Sequence, residues 1–218
     1  MSFMSKHEPK SIGDLVIENE RTRQRLEDYA AGDRNGHMIM HGPKGTGKSS
    51  SARVIAETRC NVDGEQAPFW TRNAASMTAA DFEVILNEWE LQRHCGVQHP
   101  VTIIEEVDKL SPHLRDLLQA FIDECGKNGQ IIATSNNLDG LSHAQQDRFD
   151  QVKMPAVSAG TVEERARQIL NAEEVSVSDD YLRDMLSTTN GSWRDIGSAL
   201  EDMVLDSKRK AKQNNKKD

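Results

Sequence analysis

His37-Met38-Ile39-Met40-His41-Gly42-Pro43-Lys44-Gly45-Thr46-Gly47-Lys48-Ser49-Ser50 decides the fold of this 218-residue chain. Residues 42–49 are a complete G-x-x-x-x-G-K-[ST] phosphate loop. The apolar run before it, His37 to His41, reads as a buried strand. Ser50 to Cys60 carries Ala52, Val54, Ile55 and Ala56 with no Gly or Pro, and reads as a helix. Strand, glycine loop and helix in that order let backbone N–H groups wrap an anion at a helix N-terminus. Gly42, Pro43, Lys44, Gly45, Thr46, Gly47, Lys48, Ser49 and Ser50 are therefore the expected nucleotide cradle. Lys48 is expected to reach the β- and γ-phosphates, and the Ser49 hydroxyl to bind Mg²⁺.

Downstream of the loop, apolar runs alternate with helical patterns. Phe69-Trp70-Thr71, Val101-Thr102-Ile103-Ile104 and Ile131-Ile132-Ala133-Thr134 read as strands, and Val152-Lys153-Met154 as a short edge strand. Between them Phe82, Ile85, Leu86 and Trp89 follow one helical face, with Thr78 or Asp81 as cap and an end near Cys95. Ser111 and Pro112 open a second such helix, whose stripe is Leu114, Leu117, Leu118, Phe121 and Ile122 and whose exit is bracketed by Gly126 and Gly129. Upstream, Glu18–Ala31 reads as a helix and residues 1–10 as loose. Strands separated by helices imply right-handed parallel crossovers, so the first 155 residues are expected to form an α/β domain with a five-stranded parallel sheet between helices. Pro155–Gly160 reads as a linker. Residues 156–207 carry three helical stripes, a small helical lid: Val162, Ala166, Ile169 and Leu170; Leu182, Met185 and Leu186; and Trp193, Ile196, Leu200, Met203 and Val204.

Bulk properties narrow the setting. Net charge is −8 and mean hydropathy −0.67. No apolar run approaches the length of a membrane span, so no membrane partner is expected. Cys60, Cys95 and Cys125 do not form a disulfide framework, which fits a reducing cytoplasm. Residues 208–218 carry +5 and read as a disordered basic tail, leaving −13 on residues 1–207. An acidic body confines any nucleic-acid contact to a focal surface. His94, Cys95 and His99 lack an obvious fourth ligand and read as a surface turn rather than a metal site.

Hydrolysis of a bound nucleotide needs a carboxylate for the metal and a base for water. Glu105 and Glu106 end the Val101–Ile104 strand at the sheet edge where the crevice of a parallel sheet lies. Glu105 is the expected metal carboxylate and Glu106 the expected base. Thr134-Ser135-Asn136-Asn137 ends the next strand on the same edge, where an amide can hydrogen-bond the attacking water or the γ-phosphate, or where Asn136 and Asn137 merely turn the chain.

Taken together these residues resemble the AAA+ ATPases, and within them clamp loaders such as the small subunits of replication factor C. The resemblance spans residues 6–206. Lys6–Val16 is similar to the opening that lies near the adenine, which brings Val16 to the base. Residues 42–49 match the Walker A loop, Arg72–Ser76 is similar to an Asn-Ala-Ser segment of that family, and Ile103–Ser111 to its Walker B region. Asn136 matches sensor 1, Ala144–Phe149 the arginine-finger segment, and Gly191–Asp195 sensor 2 of the lid. The resemblance implies ATP and Mg²⁺ as cofactors. Arg148 would enter a neighbour's site, and Arg194 would touch the phosphates of its own. The assembly would be a ring or spiral with ATP at its interfaces, acting on DNA and loading a sliding clamp; a helicase loader and a weakly hydrolysing assembly switch are the alternatives. It also implies a DNA approach near Lys109, Arg115 and Lys127.

Departures from the pattern carry their own expectations. Glu105 stands where the family has Asp, one methylene longer and so about 1.5 Å further out, which points either to slow hydrolysis or to a helix shifted to compensate. Ile17 replaces Gly, and His7-Glu8 replaces Tyr-Arg, in the opening segment. Asp147-Arg148-Phe149 replaces Ser-Arg-Cys. The short chain, with no collar domain, suits a compact bacterial or phage replication system. A P-loop kinase would need an acceptor pocket that no motif supplies.

Overall fold

The computed structural model describes residues 3–189 and 192–214. Its elements are α1 (Phe3–Lys6), α2 (Glu20–Ala31), β1 (Met38–His41), α3 (Lys48–Arg59), β2 (Asn61–Val62), β3 (Glu65–Gln66), β4 (Trp70–Asn73), α4 (Asp81–His94), β5 (Val101–Glu105), α5 (Pro112–Cys125), β6 (Gln130–Ser135), α6 (His143–Gln146), β7 (Asp150–Lys153), α7 (Ala159–Ala172), α8 (Asp179–Thr188) and α9 (Trp193–Asn214).

β4, β5, β6, β1 and β7 form one parallel sheet in that order. Its central strands are continuous apolar runs because helices cover both faces. Met38, Ile39 and Met40 are wholly buried, as is all of β6. Strand alternation divides the core in two. Met38, Met40, Val101, Ile103 and Ile132 pack with Leu26 and Tyr29 of α2 and Ala52, Val54, Ile55 and Ala56 of α3. Ile39, Ile104, Ile131 and Ala133 pack on the other face with Phe82, Ile85 and Trp89 of α4 and Leu118, Phe121 and Ile122 of α5. A third core joins α7, α8 and α9 through Val162, Ala166, Leu182, Leu186, Ile196 and Leu200, with Phe3 and Val16 against it. The five-stranded parallel sheet sandwiched by helices is thus present, followed by a helical lid.

Local chemistry sets the element ends. Asn19 caps α2 by accepting from Thr22 N–H, and Gly32 closes it with φ 84°. That cap moves the start of α2 from the expected Glu18 to Glu20. Ser111 caps α5 through Leu114 N–H, with Pro112 in the first turn. Asp81 does not cap α4 in the usual sense. Its carboxylate reaches back to the N–H and hydroxyl of Thr78, while Ala80 holds the cap position.

Several boundaries differ from expectation for physical reasons. α3 starts at Lys48, because Gly47 in the left-handed region (φ 85°) lets the helix begin straight out of the loop. β1 starts at Met38. The ring of His37 takes the place of a strand partner, its Nδ1 accepting from Ile131 N–H at 3.0 Å, and burial holds its pKa below the ordinary imidazole value. The β2–β3 hairpin after α3 was unexpected, its turn made by Asp63 and Gly64, both at positive φ. Residues 3–6, expected to be loose, form a helix whose Met4 side chain lies against Gly197 of α9. Residues 208–214, expected to be part of a disordered tail, continue α9; 215–218 lie outside the described residues. Among the described residues, no helix is long and apolar enough to cross a membrane.

Trp89 shows how tightly the second face is packed. Its ring is fully buried, its Nε1–H donates to Thr102 Oγ1 at 3.1 Å, and it tilts against Phe121. Gly129 presses directly on that ring, so a β-carbon there would overlap the indole. Gly129→Ala is expected to cost about 1–3 kcal/mol by overpacking, read as a lowered urea midpoint at unchanged slope; an unchanged midpoint would show that the indole has room to shift.

Candidate functional site

The register of the parallel strands brings five strand ends level at one edge. Asn73 pairs with Glu105, Ile104 with Ala133, and His41 with both Ser135 and Lys153. The phosphate loop leaves β1 at this edge. Gly42 adopts φ 149° and lies so close to Met154 O that no β-carbon fits, while Gly45 (φ 77°) and Gly47 (φ 85°) turn the chain into α3. The Lys48 ammonium is folded inside this loop. It donates to Gly42 O at 2.8 Å and Pro43 O at 2.6 Å and is only 9% exposed. Desolvation lowers its pKa, against the opposing fields of Asp108 and Glu106. A buried cation with acids facing it and, among the described residues, no ion-pair partner within reach is suited to receive an anion. Thr46 is buried and donates to Pro43 O. Lys44 is exposed and Ser49 lies exposed in the first turn of α3.

Glu105 ends β5 and, by strand alternation, shares the face of Val101 and Ile103 that α3 covers. It therefore stands on the Ser49 side of the sheet. Among the described residues no group of three or more His, Cys, Asp or Glu can hold a metal. One hydroxyl and one carboxylate are a small donor set, which fits Mg²⁺: that ion normally completes its shell with phosphate oxygens and water.

Glu106 takes φ 57°, ψ 48°, an uncommon conformation for this residue type. The turn lifts its carboxylate out of the strand direction. Lys109 Nζ lies 2.5 Å from that carboxylate, and Asn73 and Asn136 also donate to it; together they hold its pKa below the usual range, Lys109 most strongly. Glu106 N–H donates to Thr134 Oγ1 at 3.2 Å, tying the β5 turn to β6. Asn136 and Glu106, expected to share a water, do come together. Asn73, Lys109 and Asp108 were not singled out as members of this cluster. Asn73 lay in the Arg72–Ser76 segment and Asp108 in the Ile103–Ser111 segment, and only the fold shows which side chains turn inward.

Arg115 is not available to a DNA backbone. Its guanidinium donates to Asp108 O at 2.7 Å and to Gly140 O, pinning the turn after β5 to the loop after β6. Lys109 is spent on Glu106. Lys127 lies exposed at the far end of α5, before β6, and so at the opposite edge of the sheet. The three cations expected to form one DNA-facing group are therefore separated.

Arg148 also lies away from its own phosphate loop. It precedes β7, whose first residue pairs with Met38 at the amino end of β1, whereas the loop leaves the carboxyl end. Its guanidinium holds Asp123 at 2.9 and 3.1 Å and Ala144 O at 2.6 Å. Arg194 is exposed in the first turn of α9, next to Trp193, whose N–H donates to Gly45 O at 2.8 Å. Gly191 of that motif lies outside the described residues.

A cavity of about 250 Å³ opens beside the loop. Its walls include Val16, Thr46, Ser50, His7, Ile169 and Trp193. An apolar slot adjoining a phosphate cradle fits a nucleobase. The short N-terminal segment that walls it is tied to the lid by Glu173, whose side chain is 6% exposed and receives Lys6 at 2.5 Å, His7 at 2.9 Å and Lys208 at 2.9 Å.

Residues 38–155 match the ATPase family associated with various cellular activities (AAA). The chain belongs to this family. It is 26% identical over 206 residues to a replication factor C small subunit of Pyrobaculum arsenaticum, covering 91% of this chain and 62% of that protein. It is likewise 26% identical over 221 residues to the STICHEL-like 4 protein of Arabidopsis thaliana, covering 94% of this chain and 23% of that protein. Among solved structures, a RuvB variant of Thermotoga maritima superposes with a TM-score of 0.73 at 17% identity, covering 94% of this chain and 72% of that one, which speaks to the fold. The chain spans less than two thirds of the replication factor C relatives it matches. Those relatives are archaeal, so the bacterial or phage setting expected from length finds no support in them.

The Glu173 tie makes a pH-dependent prediction. Its partners, Lys6 first, push its pKa down to about 2 from 4.5. A carboxylate with a depressed folded pKa stabilises above its unfolded value and loses that contribution as pH falls through the folded one. Protection of the residue 3–7 amides, relative to their intrinsic exchange rates, is expected to fall between about pH 4.5 and 2, and Glu173→Gln to show the lower protection already at pH 7. Exchange insensitive to both would show that apolar contacts alone hold the segment.

Proposed function

We propose that this AAA-family chain is an ATP-hydrolysing subunit of a clamp-loader-like assembly, in which ATP bound at Lys48 is cleaved with help from a neighbouring subunit. The observation that carries the reading is the separation of the site's parts. Lys48, Ser49, Glu105, Glu106 and Asn136 meet at one sheet edge, while Arg148 stands at the opposite edge of the same chain. A guanidinium there is too far from its own loop and is suited to a second chain's phosphates.

In this reading the loop N–H groups and Lys48 bind the β- and γ-phosphates, and Val16 with the cavity walls holds the base. Ser49 and Glu105 hold Mg²⁺, which would neutralise phosphate charge when bound. Glu106 accepts the proton of the attacking water and Asn136 orients it. The neighbour's Arg148 stabilises charge on the transferring group, a contribution on the order of 10³-fold or more. Arg194 and the residue 156–207 lid follow nucleotide occupancy through Trp193 N–H and Gly45 O. The body of residues 1–155 and the lid would then shift as units. The kinship to replication factor C small subunits supports a sliding clamp as cargo and DNA as the surface on which it is loaded; a helicase is the alternative cargo. Glu105, one methylene longer than the usual Asp, and the Lys109 hold on Glu106 favour a second reading, an ATP-dependent assembly switch with weak turnover.

ATP turnover with and without primed DNA tests the proposal. Glu106→Gln and Arg148→Ala are each expected to reduce turnover by about 10²-fold or more. Mixing the two variants is expected to restore part of it, because Arg148→Ala sites keep Glu106 and receive Arg148 from Glu106→Gln subunits. ATP-dependent assembly without turnover would favour the switch. Turnover in a monomer untouched by Arg148→Ala would overturn catalysis between subunits.

A further inference from the structure

We propose that Asp108 is a positioning residue that sets sensor residue Asn136 against Glu106 by accepting hydrogen bonds, and that its negative charge is not what the site requires. The inference rests on the hydrolytic reading above.

Asp108 sits in the short 3₁₀ turn Val107–Lys109 directly after the proposed base. One of its oxygens, Oδ1, accepts from the Asn136 backbone N–H at 3.2 Å and lies 2.9 Å from the Ser135 hydroxyl, whose single proton it shares with Asn137 O. It therefore grips the two residues at which β6 ends and the sensor side chain begins. The opposite end of the same residue is also fixed: its backbone O accepts from Arg115, whose guanidinium also holds Gly140 O in the loop after β6. Strand pairing between β5 and β6 is registered only as far as Ile104 and Ala133. Beyond it the Asn136 amide reaches the Glu106 carboxylate, and among the described residues three further links hold the two backbones: Glu106 N–H to Thr134, Asp108 to Ser135 and Asn136 N–H, and the Arg115 bridge.

Asp108 is the link that fixes Asn136 itself. Asn136 and Glu106 reach one water only if both chain ends hold their relative place, and displacement by about 1 Å in such a constellation can cost up to about 10²-fold in rate. Nothing in this geometry calls for a charge on Asp108, because both donors are neutral and need only an acceptor oxygen. A charge-based role is the rival, since Asp108 also faces the Lys48 ammonium.

The substitution pair that separates the two is Asp108→Asn, which keeps an acceptor oxygen and removes the charge, and Asp108→Ala, which removes both. We expect Asp108→Ala to lose roughly tenfold or more in kcat while ATP affinity, measured by equilibrium binding of a fluorescent ATP analogue, stays within about threefold of the unmodified protein. Asp108→Asn is expected to keep kcat within about threefold and leave the pH profile of kcat in place. Ser135→Ala, which removes one donor from the other side, is expected to fall between them and serves if Asp108→Ala does not fold. Loss of kcat in Asp108→Asn equal to that in Asp108→Ala, or a parallel loss of ATP binding in both, would overturn positioning in favour of charge. Unchanged kcat in Asp108→Ala would overturn it outright. An unmodified protein that binds ATP and never turns it over would sink the hydrolytic reading together with this inference, whereas normal turnover with an indifferent Asp108 sinks the inference alone.

Discussion

The constraint on which the site depends is that five strands run parallel and end level. Parallel strands separated by crossover helices send every loop that follows a strand to the same edge. Here that rule alone gathers the phosphate loop, the Asn73 turn, the Glu105–Glu106 pair and Asn136, contributed by four strands spread over a hundred residues of chain. The same rule sends loops that precede strands to the other edge, where Arg148 and Lys127 lie. On the proposed reading, one topological fact both builds most of the catalytic site and leaves out its arginine.

Two kinds of packing keep that edge in register. In β1, β5 and β6 successive apolar side chains enter opposite helical layers, so a slip by one residue would turn Ile39, Ile104 and Ile131 from one layer to the other. Beyond the strands the register is passed on by polar links: Glu106 N–H to Thr134, Asp108 to Ser135 and Asn136, Arg115 to two carbonyls. The lid touches the phosphate loop itself through the backbone bond from Trp193 N–H to Gly45 O, so a rearranged phosphate loop is felt directly at the start of α9.

What was legible in the sequence follows from how local each signal is. The phosphate loop, the buried strands and the Ser111-Pro112 helix start are carried by neighbouring residues, and the fold has them close to the expected places. The rest depends on distant partners. Arg115 looked like one of a surface group of cations because nothing beside it in the chain announces that Asp108 O and Gly140 O wait for its guanidinium. α1 forms because Met4 and Phe3 find the lid core, over 150 residues away. The left-handed turn at Glu106 is a feature of the assembled edge; Asp63 and Glu174 share that positive φ and have no part in the site, so residue type gives no warning. The missed hairpin β2–β3 is two residues per strand and too short to show a period.

Three charges of the candidate site are engaged within the single chain. Lys48 is held by loop carbonyls, Glu106 by Lys109 and Arg148 by Asp123. These holds are of two kinds. The Lys48 bonds lie in a desolvated loop, where carbonyl oxygens only partly replace water around an ammonium, so phosphate charge arriving there is strongly favoured. The Glu106–Lys109 and Arg148–Asp123 pairs are solvent-exposed, and exposed ion pairs hold weakly and are screened by salt. On the proposed reading this ordering matters: the buried cation draws nucleotide into one chain by itself, while the exposed base and arginine stay in pairs that a phosphate or a second subunit can exchange at small cost. Binding would then need one chain, and cleavage would wait for an assembled neighbour.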